Sequence, residues 1–143
     1  MVLKGLNLQI EKGEIFALLG INGAGKTTAL ECMEGLRKYD SGTISVNGKT
    51  GIQLQSASLP AHIKPLEAIK LFSKWNRTTA DEPMLDALGI REIKSKQYCQ
   101  LSTGQKRRLH LMLALTGNPD IVFLDEPTAG LDVSGRLELH KQI

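Results

Sequence analysis

The chain has 143 residues, of which 18 are basic and 15 acidic, so its formal net charge is +3. The hydrophobic fraction of 41% and the charged fraction of 23% exclude a collagenous or wholly disordered chain. No apolar run approaches the roughly 20 residues that cross a bilayer, the N-terminal residues lack the apolar stretch of a secretory signal, and the mild charge does not favour nucleic acid as a partner.

The N-terminal part of the chain predicts an antiparallel β piece. Residues 6–10 alternate apolar and polar side chains, and residues 15–19 are continuously apolar, with a turn between them. This pattern is typical of a half-buried strand and a buried strand joined as a hairpin. Two further strands are predicted at residues 43–46 and 49–55, on either side of a tight turn.

Helices and one more strand are predicted downstream. Apolar side chains recur at helical spacing over residues 26–36, in two short stretches within residues 65–98, and again over residues 105–116. Residues 121–124 are a short buried strand, and a last helix begins at about residue 133. Apolar strands that alternate with helices imply an α/β fold with a parallel sheet, into which the 65–98 region is a helical insertion.

A phosphate-binding loop lies between the second strand and the first helix. Residues 20–27 match the pattern G-x-x-x-x-G-K-[ST] at every fixed position. The glycines let successive backbone N–H groups face an anion, Lys26 can reach the β- and γ-phosphates, and the Thr27 hydroxyl can bind Mg²⁺. We therefore predict a nucleoside triphosphate site formed by Gly20, Asn22, Gly23, Ala24, Gly25, Lys26, Thr27 and Thr28.

Two acidic residues follow the strand at 121–124. Ligands bind at the carboxyl ends of strands in an open parallel sheet, so we expect these carboxylates to meet the phosphates held by the loop. Asp125 suits the binding of Mg²⁺, usually through water. Glu126 suits the orientation or deprotonation of an attacking water, which makes Glu126 and Lys26 the predicted catalytic residues.

Residues 101–132 closely resemble the ATP-binding-cassette ATPases. Residues 101–105, LSTGQ, are similar to the family signature LSGGQ, with Thr103 in place of the first glycine of the central pair. Residues 121–125 resemble the family's Walker B strand, and residues 129–132 resemble its D-loop. In this resemblance Glu126 matches the catalytic glutamate, and Gln55 matches the Q-loop glutamine that touches Mg²⁺ and faces the membrane subunit.

The resemblance implies a fold and an assembly. The fold is the P-loop NTPase parallel-sheet core with an N-terminal antiparallel β piece and a helical subdomain insertion. It divides the chain into residues 1–55, 56–100 and 101–143 of a partial nucleotide-binding domain. In the family, two such domains pair head to tail and enclose two ATP molecules. The residues implied to cover the partner's ATP are Ser102, Gly104, Gln105 and Asp132.

Comparison with the family also implies that the chain is a truncated domain. The family's switch histidine lies beyond a further strand, so His140 comes too early in the chain, and we interpret it as a surface residue. His62 and His110 are interpreted as structural, Phe72 and Trp75 as core, and Cys32 and Cys99 as buried reduced thiols. We expect ATP binding to survive in such a fragment, with weak multiple-turnover hydrolysis.

The predicted function is that of an ATP-binding and ATP-hydrolysing subunit of a membrane transporter. Its implied cofactors are ATP and Mg²⁺, and its implied partners are a second nucleotide-binding domain and transmembrane subunits, with no nucleic acid. Such a subunit is cytoplasmic and peripheral on the inner face of the membrane. Residues 58–72 and 98–109 look most like subunits of bacterial drug- or antibiotic-export systems. Two alternatives are a soluble cassette ATPase of translation or DNA repair and an ATP-binding module without turnover.

Overall fold

The computed structural model describes residues 5–53 and 58–126 of the chain. The chain divides into two compact units, Met1–Asn47 and Gly48–Ile143. The first unit contains the predicted phosphate loop, and the second contains the sheet and the remaining helices. The three-part division inferred from the sequence remains a prediction.

The first unit is built around one helix, α1, Lys26–Met33. It ends before the predicted residue 36 because Gly35 adopts the left-handed conformation, with φ of 76°. The Leu36 amide then donates to the Glu31 carbonyl at 2.8 Å, and the Gly35 amide to the Cys32 carbonyl at 3.2 Å. These two bonds close the helix C-terminus in the way glycine permits.

The strands predicted at residues 6–10, 15–19 and 43–46 are not formed, since described residues 5–47 contain no strand. Ladder hydrogen bonds are absent there, and Ile15 and Leu19 are 79% and 90% exposed. A two-stranded hairpin is marginal without further strands or a helix against its apolar face. The alternating pattern therefore identified residues suited to a sheet but not the pairing that a sheet requires.

A parallel pair of strands forms the sheet of the second unit. Strand β1, Thr50–Gln53, pairs with β2, Ile121–Leu124, in a register that places Gln53 opposite Leu124. This pairing confirms the predicted α/β class with a parallel sheet. Strand β1 lies within the predicted 49–55 strand, whose last two residues fall outside the described part of the chain.

The described residues of the second unit also form three helices and two 3₁₀ turns. The helices are α2, Pro65–Trp75, α3, Glu82–Ala87, and α4, Thr103–Leu115, and the turns are Arg91–Ile93 and Tyr98–Gln100. Proline lies in the first turn of both α2 and α3, where a missing N–H breaks no helical hydrogen bond. The largest fully buried apolar side chains of this core are Ile69, Leu88, Ile90, Ile93, Leu109, Leu111 and Met112.

Strand β1 and helix α4 approach each other at a glycine. A Cβ at position 51 would overlap the carbonyl oxygen of Ala114 and lie 3.0 Å from a ring carbon of Pro119. Helix α4 therefore packs directly on the backbone of β1, and only a residue without a side chain allows this distance.

Two residues predicted to be buried, Trp75 and Cys99, lie at the surface. Trp75 is 85% exposed at the end of α2, whereas Phe72 is half-buried against the core. Helical spacing alone does not say how far the buried face of α2 extends around the helix. Cys32 is buried as predicted, but Cys99 is exposed because it lies in a short 3₁₀ turn.

The helix predicted from residue 133 and its His140 lie outside the described residues. Among residues 5–53 and 58–126, no helix has both the length and the apolar character needed to span a bilayer.

Candidate functional site

The predicted phosphate loop adopts a curled conformation that only glycine accommodates without strain. Gly23 and Gly25 have φ of 84° and 89°, in the left-handed region. The amide of Ala24 donates to the carbonyl of Ile21 at 3.1 Å and closes a turn at the centre of the loop. The backbone thus has the shape that turns consecutive N–H groups toward a bound anion.

Helix α1 begins directly at the end of this loop. Its N-cap residue, Gly25, has no side chain, and no side-chain cap bonds the N–H groups of the first turn. The first turn also lacks an acidic residue that would compensate the positive end of the helix dipole. This helix end can bind a phosphate group without displacing a capping side chain.

Lys26 folds back over the loop that precedes it. Its Nζ donates to the carbonyl oxygen of Gly20 at 2.7 Å and to that of Ile21 at 3.0 Å. The ammonium group therefore lies where the glycine-rich backbone curls, as its predicted role requires. Thr27 follows with an exposed side chain, so its hydroxyl is available as an oxygen ligand.

The acidic pair lies at the carboxyl end of β2, as predicted. The Asp125 side chain is buried at 7% exposure, and its amide donates to the carbonyl of Gln53 at 3.2 Å. This bond continues the pairing of the two strands by one residue. A carboxylate is therefore held at the end of the parallel pair, where such sheets bind ligands.

Glu126 departs from the strand in a strained conformation. Its φ of 48° lies in the left-handed region, which residues other than glycine, asparagine and aspartate adopt uncommonly. The sharp turn gives Glu126 an exposed side chain directly after the buried Asp125. Strain of this kind concentrates at functional sites.

The signature residues form the N-terminus of α4. Ser102 is the N-cap, and its Oγ accepts a hydrogen bond from the Gln105 amide at 3.2 Å. The Gln105 Oε1 accepts in turn from the Ser102 amide at 3.1 Å. This reciprocal pair is a capping box, and it begins the helix at Thr103, two residues before the predicted start.

A tyrosine and a histidine join the turn before α4 to the helix itself. The Tyr98 hydroxyl lies 2.8 Å from Nε2 of His110, and the Nζ of Lys106 lies 4.9 Å from the Tyr98 ring centre. Burial, together with the nearby charges of Arg107 and Lys106, lowers the pKa of His110. Burial also raises the pKa of Tyr98, so both groups are neutral near pH 7.

The predicted site residues are divided between the two units of the chain. Gly20 to Thr28 form the loop and the first turn of α1 in the first unit, while the second unit contains the acidic pair and the capping box of α4. Gln55 and Asp132 lie outside the described residues. His110 Nε2 lies 2.8 Å from the Tyr98 hydroxyl and His62 Nδ1 lies 2.9 Å from the Gln97 Oε1, and the structural roles of both histidines remain predictions.

Sequence reasoning missed two features of the site. The S-x-x-Q spacing of Ser102 and Gln105 is a helix-start signal and would have revealed the capping box. The second feature is the buried side chain of Gln53, whose amide oxygen and nitrogen have no hydrogen-bond partner among the described residues. No local pattern marks that residue, because its burial depends on α4 packing over β1.

Comparison with protein families identifies one match that covers most of the chain. A family model described as "ABC transporter" matches residues 3–129. The match includes the phosphate loop, the signature residues and the acidic pair.

Curated proteins named for export or for drug resistance are similar to this chain. It is 36% identical to the "Nod factor export ATP-binding protein I" of Burkholderia thailandensis, over 95% of the chain and 51% of that protein. It is 34% identical to the "Daunorubicin resistance ATP-binding protein DrrA3" of Streptomyces coeruleorubidus, over 96% of the chain and 49% of that protein. The chain thus spans about half the length of these relatives.

A solved structure supports the fold. The chain superposes on a putative metal-chelate type ABC transporter in an inward-facing conformation with a TM-score of 0.82 and 26% identity. The match covers 96% of this chain and 59% of the other. The likeness confirms the predicted P-loop ATPase fold class.

Proposed function

This chain belongs to the ABC transporter family, and we propose that it is the ATP-binding and ATP-hydrolysing part of a transporter whose two nucleotide-binding domains close around ATP. One observation carries the proposal, which is the geometry of the phosphate loop. Gly23 and Gly25 curl the backbone, α1 presents an uncapped N-terminus, and Lys26 folds over the curl.

ATP binding uses the loop and the first turn of α1. The β- and γ-phosphates accept hydrogen bonds from backbone amides of residues 20–28, and the Lys26 ammonium exchanges its carbonyl partners for phosphate oxygens. The residues assigned to this contact are Gly20, Asn22, Gly23, Ala24, Gly25, Lys26, Thr27 and Thr28.

The metal residues have the chemistry that Mg²⁺ requires. A hydroxyl from Thr27, a carboxylate from Asp125 and an amide oxygen from Gln55 are all oxygen ligands suited to this hard cation. The exposed hydroxyl of Thr27 and the buried carboxylate of Asp125 both fit the binding of Mg²⁺. When bound, Mg²⁺ neutralises charge on the phosphates.

Hydrolysis depends on Glu126. Its carboxylate accepts a hydrogen bond from the attacking water and orients that water toward the γ-phosphate, or removes its proton. The left-handed turn at this residue supports the assignment, because it redirects the chain immediately after Asp125. Lys26 stabilises the negative charge that develops on the transferred phosphoryl group.

The proposed dimer uses the N-terminus of α4 as a second anion site. The positive end of a 13-residue helix favours a phosphate, and Ser102, Gly104 and Gln105 lie at that end. In a head-to-tail pair these residues, with Asp132, cover the ATP held by the partner's phosphate loop.

Docking to transmembrane subunits is proposed for the exposed face of α2. Leu71 and Trp75 are one helical turn apart and are 55% and 85% exposed, so they form an apolar pair on the surface. An apolar pair of this kind suits a protein partner. In this arrangement the chain is cytoplasmic and lies on the inner face of the membrane, and the export functions of its relatives favour a drug- or antibiotic-export system.

Isothermal titration calorimetry with Mg-ATP tests the proposal. We expect saturable binding to the chain and a loss of about 100-fold or more in affinity on Lys26→Ala, because a charge-assisted contact to phosphate is removed. The matched control is Lys38→Ala, an exposed lysine of the same unit outside the loop, which should bind as the unsubstituted chain does. Equal binding by the two variants would contradict the assignment.

A further inference from the structure

A cavity of about 380 Å³ lies beside α2 in the second unit, apart from the phosphate loop, the acidic pair and the signature residues. One stripe of α2 at helical spacing forms one wall, and the loop after α2, the start of α3 and Arg91 form the other. The volume is within the range of small-molecule sites. The residues of the α2 stripe are Leu66, Ile69, Lys70, Ser73 and Lys74.

The base of this cavity is apolar. Ile69 of α2 and Leu85 of α3 line it and are 1% and 3% exposed, and Ala80 joins them from the connecting loop. Such a surface favours an occupant with a compact hydrocarbon or aromatic body, because burying apolar area against it removes water from both.

One buried side chain that lines the cavity, Ser73, has no hydrogen-bond partner for its hydroxyl among the described residues. Ser73 is 5% exposed, and its Oγ is unpaired among the described residues. A serine within a helix commonly donates to the carbonyl four residues before it, and Ser73 does not. An unpaired buried hydroxyl is unfavourable, so an acceptor atom on a bound molecule would stabilise it.

The edge of the cavity has an excess of positive charge. Arg91 and Glu82, which both line it, form an ion pair with each other, and Arg91 also pairs with Asp86. Lys70 and Lys74 form no ion pair with any residue that the structure describes. Two ammonium groups therefore flank Ser73 on the same side of α2 with no negative partner.

We propose that this cavity binds a small amphipathic carboxylate, whose apolar body lies on Ile69 and Leu85. The carboxylate lies at the α2 edge, between the ammonium groups of Lys70 and Lys74, and accepts a hydrogen bond from Ser73. Leu71 and Trp75 are on a different face of the helix, so the proposal does not depend on the membrane-docking role given to them.

Three probes of matched shape test the charge requirement. Calorimetry and ¹⁵N-edited NMR on the chain compare 4-phenylbutyrate with the neutral 4-phenylbutanamide and the cationic 4-phenylbutylamine. We expect one saturable site for the acid, amide shift changes centred on residues 66–91, and binding of the neutral probe about tenfold weaker, since it loses the charge-assisted contacts. Equal affinity for all three probes, or no saturable binding of the acid, would overturn the proposal.

Variants at the edge test the site itself. Lys70 and Lys74 are exposed, so the double substitution Lys70→Glu, Lys74→Glu leaves the core intact, and we expect it to reverse the preference toward the amine. The matched control is Lys94→Glu, Lys96→Glu, which makes the same charge change at exposed lysines away from the cavity and should keep the preference for the acid. If the first variant still prefers the acid, or the control loses that preference, the carboxylate is not held at this edge.

Discussion

The packing of α4 against β1 leaves no space for a side chain at Gly51. Its Cα faces the backbone of α4, and an added Cβ would overlap the carbonyl oxygen of Ala114. The clash is with backbone, which cannot rotate away as a side chain can. Helix and strand would have to separate to admit even one methyl group.

For Gly51→Ala we therefore expect the free energy of unfolding to fall by about 3 kcal/mol, the upper end of the usual cost of overpacking a core. Urea denaturation followed by circular dichroism measures this change. The matched control is Gly35→Ala, where nothing lies within 4 Å and only the positive φ is unfavourable. There the cost should be about 1 kcal/mol, and an equally small effect at Gly51 would contradict the packing described.

The pKa of His110 predicts how stability changes with pH. Burial, Arg107 and Lys106 lower the pKa of His110 below its ordinary value of 6.5, so the unfolded chain binds this proton more readily than the folded chain. The stabilising contribution of neutral His110 is therefore complete above pH 6.5 and declines as the pH falls below it.

Denaturation curves between pH 5 and pH 7 measure this dependence. We expect the free energy of unfolding to decrease on acidification, and to decrease less in His110→Gln, which cannot be protonated in this range. The matched control is His62→Gln, at the other described histidine with a side-chain partner, which should retain the full dependence. If the free energy of unfolding depended on pH identically in the chain and in His110→Gln, the proposed contribution of His110 would be ruled out.

At the scale of elements, the capping box of α4 combines two functions in one serine. Ser102 bonds the amide of Gln105, and in the proposed dimer it also faces a phosphate. Aspartate caps a helix as well as serine does, whereas alanine does not. Substitution by aspartate therefore keeps the cap and adds a negative charge where the phosphate is proposed to bind.

Static light scattering with Mg-ATP separates the two functions, in a Glu126→Gln background that slows hydrolysis. We expect Glu126→Gln alone to dimerise, and the added Ser102→Asp to keep the protein monomeric with unchanged stability. Ser102→Ala should instead lower the free energy of unfolding by about 1 kcal/mol. A Ser102→Asp variant that dimerises as well as its parent would contradict the proposed contact.

Elements differ in how far local sequence determines them. Helices α1, α2 and α4 and strand β2 follow from spacing and end signals that lie within each segment, and the phosphate loop follows from its glycines. The hairpin expected at residues 6–10 and 15–19 depends for its stability on further strands or a helix against its apolar face, which no local pattern supplies. The exposure of Trp75 on a helix and the burial of Gln53 on a strand likewise depend on which face of each element meets a neighbour.

At the scale of the whole molecule, the two units differ in hydrogen bonding. Between residues 6 and 19, one backbone hydrogen bond is formed, from the Glu14 amide to the Glu11 carbonyl. Helix α4, by contrast, is regular and includes Leu109 and Leu111, both 0% exposed. Amide protection depends on such bonds and on burial.

Hydrogen exchange followed by NMR should therefore distinguish a rapidly exchanging part of the chain from a slowly exchanging part. We expect amides of residues 6–19 to exchange close to the rate of an unstructured peptide, and those in the middle of α4 to exchange about a hundredfold or more slowly. Amides of Arg91 and Glu92, the exposed residues that begin a 3₁₀ turn, serve as the internal reference for a region with few hydrogen bonds within the second unit. Equal protection of residues 6–19 and α4 would show a ladder that the structure lacks.

In the proposed ATP site, a phosphate would compete for Lys26 with the carbonyls of Gly20 and Ile21, to which its ammonium group is hydrogen-bonded. The two carbonyls are tethered competitors, so dilution does not weaken them. An uncharged oxygen, such as that of a sugar, offers the ammonium nothing stronger than what it already holds. A phosphate does, because hydrogen bonds between ions are the stronger kind. The hydrogen bonds of Lys26 therefore favour anionic ligands over neutral ones, independently of ligand shape.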